Sequence, residues 1–176
     1  MAGRASAEFH PYEALRALQA EGVSFVVIGA FARVIHGTRE LTDGIDIAPS
    51  MRGENFERLE RALKHLDARR TDGKRLDLAK LAWPVVELET SAGELKLVPE
   101  PAGTRGYDDL RRRAQREPLG RGFRPQIASA DDLARMLGAR DRDQDVERLL
   151  RLRRLIELER QLVPERSLEL DRGIDI

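Results

Sequence analysis

Hydrophobic positions along this chain recur with two different periods, and segments of the two kinds alternate. Val23 to Ile28 is a mostly β-branched apolar run, the pattern of a buried strand, and Gly29 and Ala30 end it with two small residues. Ala32 to Gly37 has room for a helical turn or two, closed by Gly37. Ile45, Asp46 and Ile47 then alternate apolar, acidic, apolar, so on a strand the carboxylate leaves the face opposite its two neighbours. Upstream, Pro11 to Glu21 carries Ala14, Leu15 and Leu18 at helical spacing, with Pro near its start and Gly22 as its stop. Downstream, Glu54 to Ala68 places Phe56, Leu59, Leu63 and Leu66 on one face of an amphipathic helix.

The second half continues the alternation. Arg69 to Arg75 is polar and holds the turn pair Asp72-Gly73. Val85 to Thr90 and Glu94 to Val98 read as a hairpin closed by Ser91-Ala92-Gly93. Tyr107 to Arg116 reads as a helix with a basic face, and Phe123 to Ala128 as a short strand. Ser129 is placed to cap a helix through Leu137, with Asp131 and Asp132 in its first turn. Asp143 to Leu162 is a long charged helix with a broad apolar band. The pattern predicts an α/β fold: a mixed sheet flanked by helices, with a C-terminal helical segment. It divides the chain into a flexible N-terminus (1–10), an α/β core (11–130), helices packed on that core (131–163) and a weakly ordered tail (164–176).

Composition narrows the classes. With 176 residues, 31 basic and 31 acidic, the formal net charge is zero. That argues against nucleic-acid binding through global charge and leaves only a local basic patch, such as Arg111, Arg112 and Arg113, as an RNA or phosphate contact. The absence of cysteine excludes disulfides, thiolate zinc sites and thiol nucleophiles. No apolar run approaches the ~18 residues needed to span a membrane, and no segment resembles a signal peptide, so the expected location is the cytoplasm with no membrane partner. His36, near a helix end, reads as a packing or capping residue, and Trp83 and Tyr107 as core or rim aromatics.

From Gly29 to Asp46 the sequence resembles the nucleotidyltransferase superfamily, the fold of DNA polymerase beta, and within it the small bacterial branch of AbiEii/MenT-type toxins. That branch carries a small-residue turn, then a His-Gly pair, then Thr-x-Asp-x-Asp on a strand. Here Gly29-Ala30 stands for the turn, His36-Gly37 for the pair and Thr42 for the threonine. Asp46 falls on the second carboxylate, while the first position is Gly44. The resemblance extends more weakly from Tyr12 to Glu159. It implies transfer of a nucleotidyl group from an NTP, assisted by two Mg²⁺ ions held by strand carboxylates. It also implies nucleotide contacts from Gly29, Ala30, Arg33 and Thr42.

The site departs from that pattern. The third carboxylate of relatives sits in a Leu-Asp-Leu strand; the matching stretch is Leu95-Lys96-Leu97, ahead of Pro101-Ala102-Gly103. A Ser-Lys-Glu run of relatives falls here on Met136, Leu137 and Gly138. One carboxylate cannot hold two cations against their mutual repulsion, and an ammonium repels them further. The resulting expectation is a protein of impaired or lost activity with no metal or other cofactor, in which Lys96 faces Asp46 across adjacent strands and takes the place of the metal. The alternative is an active NTP- and Mg²⁺-dependent transferase, with tRNA or a protein as acceptor. It would use displaced acids: Asp43 brought round by a bulge at Gly44, or Glu94, on the same strand face as Lys96. A further alternative is a homodimeric interaction module built on the 143–162 helix. A nucleotide, tRNA and a cognate antitoxin are the other partners the resemblance brings in.

Overall fold

The computed structural model describes residues 7–80 and 85–171. Residues 1–6, 81–84 and 172–176 lie outside the described residues, and with them Trp83 and parts of both predicted end segments. A seven-stranded mixed sheet is the centre of the fold. The elements in chain order are α1 (Pro11–Ala20), β1 (Phe25–Ile28), α2 (Gly29–His36), β2 (Gly44–Pro49), α3 (Gly53–His65), β3 (Arg69–Arg70), a 3₁₀ turn (Leu78–Lys80), β4 (Val86–Thr90) and β5 (Gly93–Leu97). They continue with α4 (Tyr107–Leu110), β6 (Gln115–Arg116), β7 (Gln126–Ile127), α5 (Ala130–Arg140) and α6 (Asp143–Asp171). Across the sheet the order is β3-β4-β5-β2-β1-β7-β6. The pairs β2/β5 and β1/β7 are parallel and the rest antiparallel.

The apolar pattern explains the centre of the sheet. Val26, Val27 and Ile28 of β1 are all buried, as a strand covered on both faces requires. On β2, Ile45 and Ile47 are buried while Asp46 between them is only partly so. Leu15 and Leu18 of α1 join Leu59 and Leu63 of α3 in the same core, which also takes in Leu95 and Leu97 of β5 and Leu133 of α5. Asn55, buried on α3, ties the two central strands together. Its Oδ1 accepts from the Ser24 N–H at 2.7 Å, and its Nδ2 donates to the carbonyls of Ser24 at 3.0 Å and Ser50 at 2.8 Å.

Several boundaries differ from the pattern reading. The helix after Gly29 begins at Gly29 itself, so β1 passes into α2 without a connecting loop. The Tyr107–Arg116 helix stops at Leu110; residues 111–113 form a turn and Gln115–Arg116 pairs with β7 as an edge strand. A strand also occupies Arg69–Arg70, inside the segment read as a turn. Two-residue edge strands carry no periodicity to read. The hairpin is as the pattern has it, with Thr90 opposite Gly93. Ser129 caps α5, its Oγ accepting from the Asp132 N–H at 3.1 Å, and α6 continues past Leu162 to Asp171. At the N-terminus, Phe9 meets Phe31 edge-on at 5.8 Å and the His10 N–H donates to the Ala92 carbonyl at 2.9 Å, so these two residues are tied to the domain.

Candidate functional site

A cleft of about 720 Å³ opens where β1 passes into α2, bounded by β2, β5 and the α5–α6 junction. Its floor includes Gly29 and Asp46; Leu133, Met136 and Leu137 of α5 give it an apolar wall. Asp46 is packed against the first residue of α2. A Cβ added at Gly29 would lie 2.5 Å from Asp46 Oδ2, and Gly29 has φ +71°, so both space and backbone select glycine there.

Gly44 has a different constraint. It stands opposite Glu94 in the parallel β2/β5 pair. A Cβ added to it would overlap the Glu94 carbonyl oxygen and lie 2.7 Å from the Glu94 Cβ. The space a side chain at position 44 would need is thus filled by the neighbouring strand. Asp43 and Glu94, the displaced acids weighed from the sequence, are exposed and do not line the cleft. Thr42 also lies outside the lining; its Oγ1 donates to the Gly44 carbonyl at 2.8 Å. Ala30 is absent from the lining, whereas Gly29 and Arg33 belong to it.

Lys96 stands directly opposite Asp46 on β5, and both line the cleft. Its ion pair, however, is with Glu87, at 3.6 Å. The sheet explains this: in the antiparallel β4/β5 pair Glu87 is also directly opposite Lys96, so the ammonium has an acid on each side. Burial pushes the Asp46 carboxyl above its usual range, and the positive charges of Lys96, Arg33 and Arg140 pull it part of the way back.

Arg33 is only 4% exposed. Its Nε and Nη2 donate to the two oxygens of Glu40 at 2.8 and 2.9 Å, and Thr38 Oγ1 donates to Glu40 at 2.8 Å. Arg148 of α6 reaches Glu40 at 3.4 Å and Asp145 at 3.0 Å, and Arg140 donates to Asp145 from Nε and Nη2. Burial opposes ionisation of Glu40 and of Asp145, yet their arginine partners prevail and hold both carboxyls below their usual range. This network joins α2 to α5 and α6 and fixes two guanidinium groups, those of Arg33 and Arg140, in the cleft wall. Sequence reasoning reached Arg33 and missed Glu40, Arg140 and Arg142. The last two flank Asp141, between the predicted helices that end at Leu137 and begin at Asp143, and the turn there brings them to the cleft.

The basic run lies elsewhere. Arg111 pairs with Asp108 at 3.3 Å and sits over the Tyr107 ring, and Arg113 is bound to the fully buried Asp132 of α5. Arg111, Arg112 and Arg113 do not line the cleft, and they form no helical face. His36 Nε2 meets the Ala128 carbonyl at 2.8 Å, a contact between α2 and the segment after β7.

No family model matches the sequence, and no curated protein matches it. Solved structures do. The antibiotic-resistance factor ANT(2'')-Ia superposes with a TM-score of 0.52 at 17% identity, over 92% of this chain and 93% of its own. The protein TM1012 of Thermotoga maritima, described as a "putative nucleotidyltransferase", superposes with a TM-score of 0.50 at 15% identity, over 90% and 97%. The fold is that of a nucleotidyltransferase.

A nucleotidyltransferase fold raises the question of Mg²⁺, and the residues present do not fit a pair of such ions. Asp46 supplies one carboxylate, Gly44 has neither a side chain nor room for one, and Lys96 puts an ammonium opposite Asp46. Among the described residues no group of three or more acids and histidines is gathered to hold a metal ion.

The raised Asp46 carboxyl has a consequence for stability. Its native state binds the proton more tightly than the unfolded chain does, so ionised Asp46 opposes folding. The penalty grows as pH rises above the unfolded value of 3.8 and vanishes below it. Asp46→Asn is expected to raise the thermal midpoint at neutral pH, with the gain shrinking as the pH is lowered through the carboxylate range. A gain independent of pH would contradict this origin.

Proposed function

We propose that this chain is a nucleotide-binding protein of the nucleotidyltransferase fold, related to the AbiEii/MenT-type branch, whose transfer chemistry is lost or strongly weakened. The observation that carries the reading is the pairing of β2 with β5. It sets Lys96 opposite the remaining carboxylate Asp46 and closes the Gly44 position with the backbone of Glu94. Phosphoryl transfer on this fold depends on divalent ions bridging attacking oxygen and triphosphate, and two-ion catalysis needs more than one carboxylate. The cleft keeps what nucleotide binding requires without that step: volume, an apolar wall and guanidinium groups held in place. The nucleotidyltransferase-type neighbours make a nucleotide the natural class of ligand. A bound nucleotide would then act by occupancy, changing what the protein presents to a partner.

The test is incubation of the purified chain with radiolabelled NTPs, Mg²⁺ and total tRNA, with the protein itself as a second acceptor. The expected result is no labelled product above a protein-free control. Time-dependent labelling of RNA or protein that is abolished by Asp46→Ala would overturn the reading and point to an active transferase.

A further inference from the structure

The geometry points to a nucleoside monophosphate, bound without a divalent cation, as the ligand of the cleft, with Arg142 and the outward edge of Arg140 as its phosphate-binding groups. This rests on the reading that the cleft takes a nucleotide, and sharpens it.

Charge decides between phosphate classes. Three lining cations are already matched by carboxylates: Arg33 by Glu40, Arg140 by Asp145 and Lys96 by Glu87. Arg148 adds one surplus positive charge to the network behind the cleft. At the surface that leaves Arg142 against Asp46 and Glu100 among the described lining residues. The cleft and its immediate support are therefore close to neutral. A triphosphate carries about four negative charges, which divalent ions ordinarily offset at sites of this kind. Among the described residues no metal-ligand set is gathered, so the excess charge would face Asp46 and Glu100 at close range. A monophosphate carries at most two negative charges and needs only one well-formed cationic grip.

Such a grip lies at the α5–α6 junction. Asp141 takes a left-handed conformation (φ 46°, ψ 50°), which turns the chain sharply between the two helices and brings Arg140 and Arg142 to the same rim. Arg140 spends Nε and Nη2 on Asp145, and its Nη1 donates to no described residue. Arg142 is exposed and has no ion pair among the described residues. Two guanidinium edges can hold phosphate oxygens in a forked geometry that a lone ammonium cannot. The wall of Leu133, Met136 and Leu137 offers an apolar surface for a base, and Asp46, with no ion pair among the described residues, can accept from a sugar hydroxyl.

The experiment is isothermal titration of the full chain with AMP, GMP, CMP and UMP and with the matching triphosphates, in EDTA and again in MgCl₂. At least one monophosphate is expected to bind in EDTA, unaffected by Mg²⁺, and more tightly than its triphosphate. Arg142→Ala is expected to weaken that binding about tenfold or more, and Arg142→Lys to recover part of it. Tighter or Mg²⁺-dependent binding of a triphosphate overturns the monophosphate inference and leaves the nucleotide reading standing. Unchanged affinity in Arg142→Ala overturns the phosphate grip. Failure of every nucleotide to bind overturns the underlying reading itself.

Discussion

Gly44→Asp, which would place a second carboxylate on β2 two residues before Asp46, is expected to unfold much of the protein. A Cβ at position 44 overlaps the Glu94 carbonyl oxygen and comes within 2.8 Å of the Glu94 carbonyl carbon. Both belong to the backbone of β5, so no rotamer change relieves the contact. The strands must separate, and β2 and β5 lie side by side at the middle of the sheet. Gly44→Ala isolates the steric part and should cost roughly 3 kcal/mol, at the upper end of overpacking penalties. Gly44→Asp adds a carboxylate pressed against a carbonyl oxygen and should exceed about 4 kcal/mol, a large share of the stability of a typical domain. Urea unfolding followed by circular dichroism measures both. Adding Glu94→Gly should not rescue either variant, because the clashing oxygen is main chain. Rescue by Glu94→Gly, or a Gly44→Ala protein as stable as the parent, would refute this packing. The β2/β5 pairing therefore leaves no room at position 44 for any side chain.

Glu40→Ala should be the second severe variant. Glu40 receives both Nε and Nη2 of the buried Arg33, the Thr38 hydroxyl and Arg148. Removing it leaves a guanidinium buried without its partner, a loss of about 3–5 kcal/mol. Glu40→Gln keeps an acceptor without the charge and should cost less. The double variant Arg33→Met with Glu40→Leu removes both charges and should regain most of the stability, because the penalty lies in the uncompensated ion rather than in the lost attraction. Equal losses in the single and double variants would contradict this. The pH profile gives an independent check. The Glu40 carboxyl is held below its unfolded value of 4.5, so its contribution is complete above that value and is lost as pH falls through its lower native one. That is the opposite sign to Asp46, and the two profiles should diverge in the same acid range.

These two results bear on function through one feature. Glu40 keeps Arg33 in the cleft wall, and Gly44 keeps β2 and β5 close enough for Asp46, Lys96 and Glu87 to stand side by side across three strands. The cleft is held by charges belonging to the protein. A cation entering beside Asp46 would meet the Lys96 ammonium directly opposite it.

The residues alone determined a great deal. Apolar periodicity placed the central strands, the amphipathic α3 and the hairpin, because period two and period 3.6 are imposed by local geometry. The spacing from Gly29 to Asp46 pointed to the fold, and both residues line the cleft, since small residues and an alternating acid carry their own conformational meaning. That Lys96 would face Asp46 across adjacent strands was legible as well. What the chain in one dimension could not show was partnership. Lys96 is flanked by two acids at equal register, and only the pairing of β4 with β5 selects Glu87 as its ion-pair partner. The arginine run at 111–113 looked like a helical face until Arg113 proved to be needed by a buried aspartate 19 residues further on. Arg140, Arg142 and Glu40 gave no signal, because their importance comes from a left-handed residue and from helices meeting across long stretches of sequence. Local pattern fixes which way a side chain leaves its strand or helix; which charge it then meets depends on how the elements pack, and tertiary structure alone settled that here.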